Sequence, residues 1–318
     1  MKDSISISSN LFIFIATVIC TLGGLMNWFD SMFMELVVAG ILIFMIGLPH
    51  GATDLLLFKY LKEEPQKVNY TKFLIGYLGL IAVYGIIWVL FPKLAFGLFL
   101  LISIYHFGQS NLSFIKIENN GIRLFLYFLS GSFVILTPLS IYFETTMNVV
   151  QGITGINSLS IDYPIIKLLP LTLLILNIGA LFYFFSENYI NKKALILQLV
   201  GLALLMLAFY ALPLILGFTV YFVFWHSFGS MIDQVKFIRK KSVNFSWLSY
   251  FKNALPFTII AILFIVFCFL GNHYFELGFT IVQIFFVILS LFTLPHIILV
   301  EQIYTIPKQT EVKGLQLI

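Results

Sequence analysis

The sequence predicts an all-α fold, a polytopic transmembrane helical bundle of about ten spans with both termini in the cytoplasm. The first observation is composition: 60% of the 318 residues are hydrophobic and 10% are charged, and the mean hydropathy is +1.03. Soluble globular domains are apolar at roughly half of their residues. The second observation is a series of long apolar runs, and the third is the placement of basic residues between them. We therefore expect a single integral-membrane domain over residues 1–318.

The apolar runs give the spans in order. A helix needs about 20 apolar residues to cross a hydrocarbon core about 30 Å thick. Ten such runs occur, at 10–28, 34–58, 73–91, 95–115, 122–141, 165–186, 194–211, 214–237, 254–271 and 278–300. We expect the first to be a retained helix, since it lacks a clear cleavage site of small residues. The seventh and eighth runs, separated only around Pro213, are either two helices or one kinked helix.

The positions of Lys and Arg distinguish these two interpretations. With a cytoplasmic N-terminus, ten spans place 16 of the 18 basic residues on the cytoplasmic side and leave Lys93 and Lys167 outside. This is the positive-inside pattern. A single kinked helix would instead move Arg239, Lys240 and Lys241 outside, so the charges favour two helices. The net charge of +4, without a dense basic run, argues against nucleic acid as a partner.

The connection from Tyr142 to Pro164 is the only long one on the non-cytoplasmic side, and Gly152 and Gly155 interrupt its short apolar pieces. It is either a lid or half-inserted helix, or a surface loop with an interfacial helix. The pattern favours the second interpretation.

Four of the five histidines lie inside apolar runs, each on a different predicted helix. They are His50, His106, His226 and His296. All four helices are predicted to run toward the cytoplasm, with the histidines about 12, 14, 17 and 6 Å from the cytoplasmic ends at 1.5 Å per residue. One such histidine can be a hydrogen-bonded core residue, but ionisable groups at membrane depth mark functional sites. The shared depth favours convergence on one site, whereas His273, on a short outside loop, is expected to be interfacial.

The residue types around these histidines favour metal binding. Imidazole nitrogens without cysteine or crowded carboxylates suit iron, zinc or copper, and Fe²⁺ can use such ligands while leaving positions open for O2. His50 and Asp54 are four residues apart, so on a continuous helix both lie on one face. Asp54 is therefore our best candidate for holding an imidazole in place. Gln109 is a further candidate, whereas Asp233 and Glu301 are better explained as solvated residues at helix ends.

Aromatic residues make up 17% of the chain, and most are expected to face lipid or pack between helices. Tyr105 precedes His106 and Trp225 precedes His226, so we predict flat apolar rings beside a bound ligand. Such rings suit a long conjugated hydrocarbon. We therefore place Tyr105 and Trp225 with Asp54 among the candidate catalytic residues.

Four motifs, GLPHGATD, YHFGQS, FWHS and LPHIILVE, occur in this order between Gly47 and Glu301. Together they resemble the Brp/Blh family of integral-membrane β-carotene 15,15′-dioxygenases. The resemblance implies central cleavage of β-carotene by O2 into two retinals at a histidine-bound iron, in the cell inner membrane, with retinal supplied to a microbial rhodopsin. By position, His50, His106 and His226 match family histidines proposed to bind the iron.

One position departs from the family pattern. Some members carry a second histidine four residues after the one in the WHS motif, where this chain has Ser230. Three alternatives follow: His296 completes the set of ligands, three histidines and water hold the metal, or this chain has lost activity.

Rival functions differ in what they require of the histidines. Diiron membrane hydroxylases and desaturases need histidines in HxxxH and HxxHH clusters, which this sequence lacks. A haem b protein would use paired histidines from different helices. A non-enzymatic carotenoid or retinal carrier, or a rhodopsin assembly partner, would need the aromatic rings but not the histidines.

Overall fold

The computed structural model describes residues 2–62, 68–115, 117–156 and 163–315, with side chains described over 10–62, 68–115, 117–156 and 165–303. All regular elements in these residues are helices, as predicted. They are α1 (Lys2–Leu25), α2 (Met32–Leu42), α3 (Leu48–Gly51), α4 (Asp54–Leu61), α5 (Tyr70–Leu90), α6 (Pro92–Asn111), α7 (Asn120–Ile141), α8 (Phe143–Thr154), α9 (Tyr163–Ser186), α10 (Lys192–Ala211), α11 (Leu214–Val220), α12 (Phe228–Lys241), α13 (Trp247–Tyr274) and α14 (Ile281–Leu315), with π-helical segments at Ile43–Gly47 and Tyr221–Ser227.

Eight helices in the described part of the chain are long and apolar enough to cross a membrane. They are Met32–Leu61, Tyr70–Leu90, Asn120–Ile141, Ile165–Ser186, Lys192–Ala211, Leu214–Lys241, Trp247–Tyr274 and Ile281–Ile303. These coincide with eight of the ten predicted runs. The other two are also helical: one forms the shorter apolar helix Asn10–Leu25, and the other forms α6, whose last turns carry polar side chains. The chain is therefore a polytopic integral membrane protein.

The helices group into two compact units. The first unit comprises Met1–Ile43, Leu100–Gln151 and Gly155–Gly229, and the second comprises Phe44–Phe99, Gly152–Thr154 and Ser230–Ile318. His106 and His226 belong to the first unit, and His50 and His296 to the second.

In the first unit, α7 packs against α9, α1 against α10, and α2 against α11. Part of its core is built by Leu112, Ile115, Ile117, Leu126, Tyr127, Leu181, Phe184, Ile190 and Leu195. These apolar side chains hold the end of α6 that carries His106 against α7 and α9.

Helices α6 and α7 cross in backbone contact at two glycines. A Cβ on Gly108 would overlap the carbonyl oxygen of Tyr127, and a Cβ on Gly131 would overlap that of Ile104. A glycine thus permits close approach of two helices at Gly108, two residues after His106. At Gly51 and Gly229, a Cβ would meet no described atom within 4 Å, so close packing does not require a glycine at these two positions.

The seventh and eighth predicted runs are two separate helices, α10 and α11, as the charges indicated. The carboxylate of Glu35 accepts hydrogen bonds from the backbone N–H groups of Ile215 at 2.9 Å and Leu216 at 3.3 Å. Tyr142 donates to the carbonyl of Leu212 at 2.7 Å. Because the ends of a helix leave backbone groups without intrahelical partners, these contacts stabilise the break before the helix that carries His226.

The second unit contains α3, α4, α5, α13 and α14 and most of α12. A core cluster of Leu57, Met231, Val235, Phe237, Ile238, Phe245, Tyr250, Val300 and Ile303 joins α4, α12, α13 and α14. Helix α14 also packs against α5. The helices around His50 and His296 are thereby fixed by apolar packing.

The predicted span 34–58 is helical but not continuous. A π-helical segment covers Ile43–Gly47, and the helix breaks at Ala52 and Thr53 before α4 begins. Pro49 has no N–H to continue the helical ladder, and the hydroxyl of Thr53 donates to the carbonyl of His50 at 2.8 Å. The expectation of a continuous helix from His50 to Asp54 was therefore wrong, although both side chains contact the ring of His296.

The long connection after α7 contains helix α8, which ends at Gly155 in the left-handed conformation, with φ of 70°. The expected helix within this connection is confirmed. Residues 157–162 of the predicted loop lie outside the described residues.

The close crossing of α6 and α7 gives a stability prediction. We expect Gly108→Ala to lower the melting temperature in detergent, since overpacking costs about 1–3 kcal/mol and backbone atoms cannot move aside as a side chain can. Gly179→Ala on α9 is the matched control, because a Cβ there meets no described atom within 4 Å. The control should be neutral or stabilising by about 0.5–1 kcal/mol. Equal melting temperatures for the two variants would contradict the close crossing.

Candidate functional site

The hydrogen bond between His296 and Asp54 is the most specific polar contact of the second unit. Nδ1 of His296 lies 2.7 Å from Oδ1 of Asp54, and both residues are buried. A carboxylate accepts hydrogen bonds, so Nδ1 carries the proton. A metal ion would then bind Nε2, the other ring nitrogen of His296.

Asp54 is itself held from a second helix. Tyr77 on α5 donates its hydroxyl to Oδ2 of Asp54 at 2.8 Å. Asp54 is the first residue of α4, and a negative side chain is favourable at a helix N-terminus. The carboxylate thus joins α4, α5 and α14 and fixes the ring orientation of His296.

His50 is held by a separate polar network. Nδ1 of His50 lies 3.2 Å from Nε2 of Gln234 on α12. The amide oxygen of Gln234 accepts from the hydroxyl of Tyr250, and Thr53 lies 3.0 Å from that oxygen. The amide nitrogen of Gln234 only donates, so Nδ1 of His50 is the acceptor in this contact and a neutral ring carries its proton on Nε2. The contact positions the ring, and metal binding at Nε2 of His50 would release that proton.

The His50 and His296 rings lie edge to face, with centroids 4.8 Å apart and planes at 83°. Metal–nitrogen bonds to imidazole are about 2.0–2.1 Å, so two imidazoles at neighbouring positions of one ion have ring centres roughly 4.5–5 Å apart. The pair therefore fits two adjacent positions on a metal ion.

His106 and His226 form a similar pair in the first unit. Their ring centroids are 4.8 Å apart, with planes at 72°, and both side chains are 2% exposed. The residues around this pair are aromatic. Phe107 lies edge to face with His226 at 4.6 Å, and Phe222 stacks on it at 5.9 Å. This pair has the spacing of two metal ligands in an apolar environment.

The helix that carries His226 is unusual in two ways. It contains the π-helical segment Tyr221–Ser227, which includes the histidine, and the other π-helical segment ends three residues before His50. Such segments occur frequently at functional sites because an extra residue redirects the following side chains. This helix, Leu214–Lys241, is also the most buried of the eight candidate spans in the described part of the chain. Of its most apolar stretch, 67% is buried, against 11% for Tyr70–Leu90.

Each unit thus provides two imidazoles at the spacing of metal ligands. Among the residues that the structure describes, no group of three or more His, Cys, Asp or Glu side chains is arranged to hold a metal ion. The donor set itself, buried imidazoles with Asp54 on the Nδ1 of His296, fits a nitrogen-ligated first-row metal.

All four histidines fall within the match of this chain to a known protein family. The family model of β-carotene 15,15′-dioxygenase matches residues 41–304, which include all four histidines. The chain belongs to the β-carotene 15,15′-dioxygenase family. A β-carotene 15,15′-dioxygenase from uncultured marine bacterium 66A03 is 25% identical over 283 residues, 86% of this chain and 94% of that protein. No solved structure matches this chain.

Membership in this dioxygenase family confirms the resemblance of the four motifs and makes the chain a member of an oxidoreductase family. A dioxygenase family is compatible with a metal cofactor. β-Carotene is the substrate that the family implies.

The structure places the two predicted aromatic residues in packing contacts. Trp225 donates its ring N–H to the hydroxyl of Thr17 at 3.0 Å and packs against Phe14 of α1 at 5.2 Å. Tyr105 packs against Tyr127 and Phe128 of α7. The rings of Phe107 and Phe222, which the sequence analysis did not single out, pack against His226. A catalytic role for Tyr105 or Trp225 stays a prediction.

The remaining predicted residues fall in different environments. Asp54 contacts an imidazole, as expected, but that imidazole is His296 and not the neighbouring His50, because the helix breaks between His50 and Asp54. Asp233 lies 3.7 Å from Lys236 with a side chain that is 41% exposed, so it is partly solvated as expected, but it lies within α12 and not at a helix end. His273 is exposed in the last turn of α13 and not in a loop, and its interfacial location stays a prediction.

Sequence reasoning missed Gln234, Thr53, Tyr250 and Tyr77. For Gln234 the sequence offered a clue, because an amide within a membrane-spanning helix needs a buried hydrogen-bond partner. In the structure this side chain is 2% exposed. The other three carried none, because Thr and Tyr are common in membrane helices and their contacts come from distant helices.

The contact between Asp54 and His296 gives a prediction on metal affinity. We expect Asp54→Asn to weaken metal binding about 10- to 100-fold, because the neutral amide no longer orients and polarises the imidazole as a carboxylate does. Asp233→Asn is the matched control and should bind metal like the unchanged chain. Titration of the metal-free protein with Fe²⁺ or with Co²⁺ as a spectroscopic probe measures both. Equal affinities would show that Asp54 does not support a metal ligand.

Proposed function

We propose that this chain cleaves β-carotene at its central double bond with O2, producing two retinal molecules, and that it uses Fe²⁺ as cofactor. The observation that carries the proposal is the family match, which contains all four buried histidines and the carboxylate that holds one of them. The histidines lie in otherwise apolar helices, and ionisable groups buried at membrane depth are costly and mark functional sites.

In this proposal the iron ligands are His50, His106, His226 and His296. Bound iron would supply the activation of O2. The chain's own residues supply the rest: Asp54 and Gln234 hold the imidazoles of the second unit in orientation, and the apolar packing around the histidines excludes water. Within each unit, the 4.8 Å between the two ring centroids is the spacing of adjacent metal ligands, which supports a metal-binding role for each pair.

The proposed substrate suits a membrane-embedded site. β-Carotene is a rigid hydrocarbon whose length is comparable to the hydrocarbon core of about 30 Å, so it can enter directly from lipid. Phe107 and Phe222 beside His226 offer flat apolar surfaces to such a polyene. We further propose that the chain resides in the inner membrane as ten spans with both termini in the cytoplasm, and that a microbial rhodopsin receives the retinal.

Two other functions remain as outcomes of experiment. A haem b protein is disfavoured within either unit, because imidazoles in edge-to-face contact at 4.8 Å have no slot for a porphyrin plane between them. A carotenoid or retinal carrier would bind the pigment without changing it. Retinal formation separates the carrier from the enzyme.

Histidine variants test the enzyme and its metal together. In cells that make β-carotene, His50→Ala, His106→Ala, His226→Ala and His296→Ala should each lower retinal formation at least about 100-fold, with loss of iron from the purified protein. His273→Ala, at an exposed position, is the control and should be nearly silent. The unchanged protein should hold one iron per chain. Retained activity and iron in His296→Ala would indicate three histidine ligands, and active protein without iron would contradict the proposal.

The proposed topology is tested separately. Reporter tags inserted in the 59–72 and 236–252 connections should both report from the cytoplasm, because the basic residues cluster there. A tag at Phe91, between α5 and α6, is the control and should report from the opposite side. An external signal from the 236–252 connection would overturn the ten-span arrangement.

A further inference from the structure

A groove with a volume of about 790 Å³ opens on the second unit, between the end of α4, the first half of α5 and the second half of α14. Its wall is mainly apolar and includes Phe58, Phe73, Leu80, Ile298 and Leu299. This volume lies within the range of about 300–1,000 Å³ typical of sites for small organic ligands. The proposed cleavage reaction does not require this groove.

One end of the groove reaches the residues that hold His296. Tyr77 and Pro295 line the groove. Tyr77 donates to Asp54, which binds His296, and Pro295 directly precedes that histidine. The groove therefore begins beside Tyr77, and the side chains of Tyr77 and Asp54 lie between it and the imidazole of His296.

The other end of the groove is polar and basic. Lys62, Asn69 and Lys72 lie there, where α4 ends and α5 begins. The ammonium of Lys62 is 4.9 Å from the ring centre of Phe58, so it covers the rim of the apolar wall. Asn69 caps α5 by accepting from the N–H of Lys72 at 2.9 Å, which fixes the start of that helix. The groove thus offers a hydrocarbon surface that terminates in hydrogen-bond donors.

We propose that this groove binds retinal and is its path of release from the site, an inference that rests on the proposed cleavage of β-carotene. The polyene and ring of retinal lie along the apolar wall, and the aldehyde oxygen accepts a hydrogen bond from the ammonium of Lys62 or Lys72.

β-Carotene, retinal and a phospholipid differ in the polar groups that they could place in the groove. β-Carotene is a pure hydrocarbon and has no group for the basic end of the groove. Cleavage creates one carbonyl oxygen on each product, so each retinal is an amphiphile with a single acceptor at one end. A phospholipid also combines hydrocarbon with a polar head, but a structural lipid gives no reason for the apolar wall to end at Tyr77 and Pro295. The groove therefore fits the product better than the substrate or a lipid.

Two glycines of α5 allow a matched test of the groove. Gly76 lines it and Gly79 does not, and a Cβ at either position meets no described atom within 4 Å. In nanodiscs of phosphatidylcholine, Gly76→Phe should weaken the binding of all-trans-retinal at least about tenfold by filling the groove. Gly79→Phe should bind retinal within about twofold of the unchanged chain. Melting temperatures of both variants establish that each is folded.

Two lysines, one on α4 and one on α5, test the polar end of the groove. Lys72→Met removes a donor from the groove, whereas Lys59→Met removes the same charge from a lysine outside its lining. Lys72→Met should weaken retinal binding several-fold and leave the binding of a C20 polyene hydrocarbon without the aldehyde unchanged. Lys59→Met should alter neither.

Kinetics separate release from cleavage. Gly76→Phe should retain the first turnover of β-carotene and slow the later turnovers, as expected when product release becomes limiting. Unchanged retinal affinity in Gly76→Phe would overturn the proposal, as would loss of a co-purified anionic phospholipid in Lys72→Met with retinal binding intact. Retinal bound in the groove of a chain that does not cleave β-carotene would support the retinal site and count against the proposed function alone.

Discussion

The hydrogen bond from His296 to Asp54 is the interaction on which the second unit's candidate site depends. Within a membrane-spanning bundle, water does not satisfy polar side chains, so a buried carboxylate and imidazole must satisfy one another or be costly. This requirement explains the local structure around it. The helix breaks at Ala52 and Thr53, Asp54 begins the next helix with its carboxylate on Nδ1 of His296, and Tyr77 supplies the second hydrogen bond to the carboxylate.

The contacts around the histidines differ between the two units. In the second unit, hydrogen bonds orient the histidines: His296 through Asp54, and His50 through Gln234, with Tyr250 and Thr53 behind it. In the first unit, the rings of Phe107 and Phe222 pack against the ring of His226. Apolar rings beside a buried imidazole are compatible with a hydrocarbon substrate, such as the one that the family implies.

Composition and charge were sufficient to predict the all-α membrane fold and the division around Pro213, because span length and the placement of Lys and Arg are properties of the chain alone. The four sequence motifs were sufficient to identify the family. The partner of Asp54 was mispredicted, since the i, i+4 rule applies only within an unbroken helix and the break at Thr53 has no strong signal. Gln234 and Tyr77 were missed because their contacts join residues far apart in the sequence. The separation of the four histidines into two units also lies beyond what their shared depth could indicate.

The protonation of the His296 ring tests the central claim most directly. Solid-state ¹⁵N NMR of the metal-free protein in lipid, with the signals assigned through His296→Ala, reports which ring nitrogen carries the proton. A carboxylate acceptor requires the proton on Nδ1 and an unprotonated Nε2 able to bind a metal. We expect this tautomer in the unchanged chain. A neutral ring with its proton on Nε2 would show that Asp54 does not accept from His296, and would contradict the account.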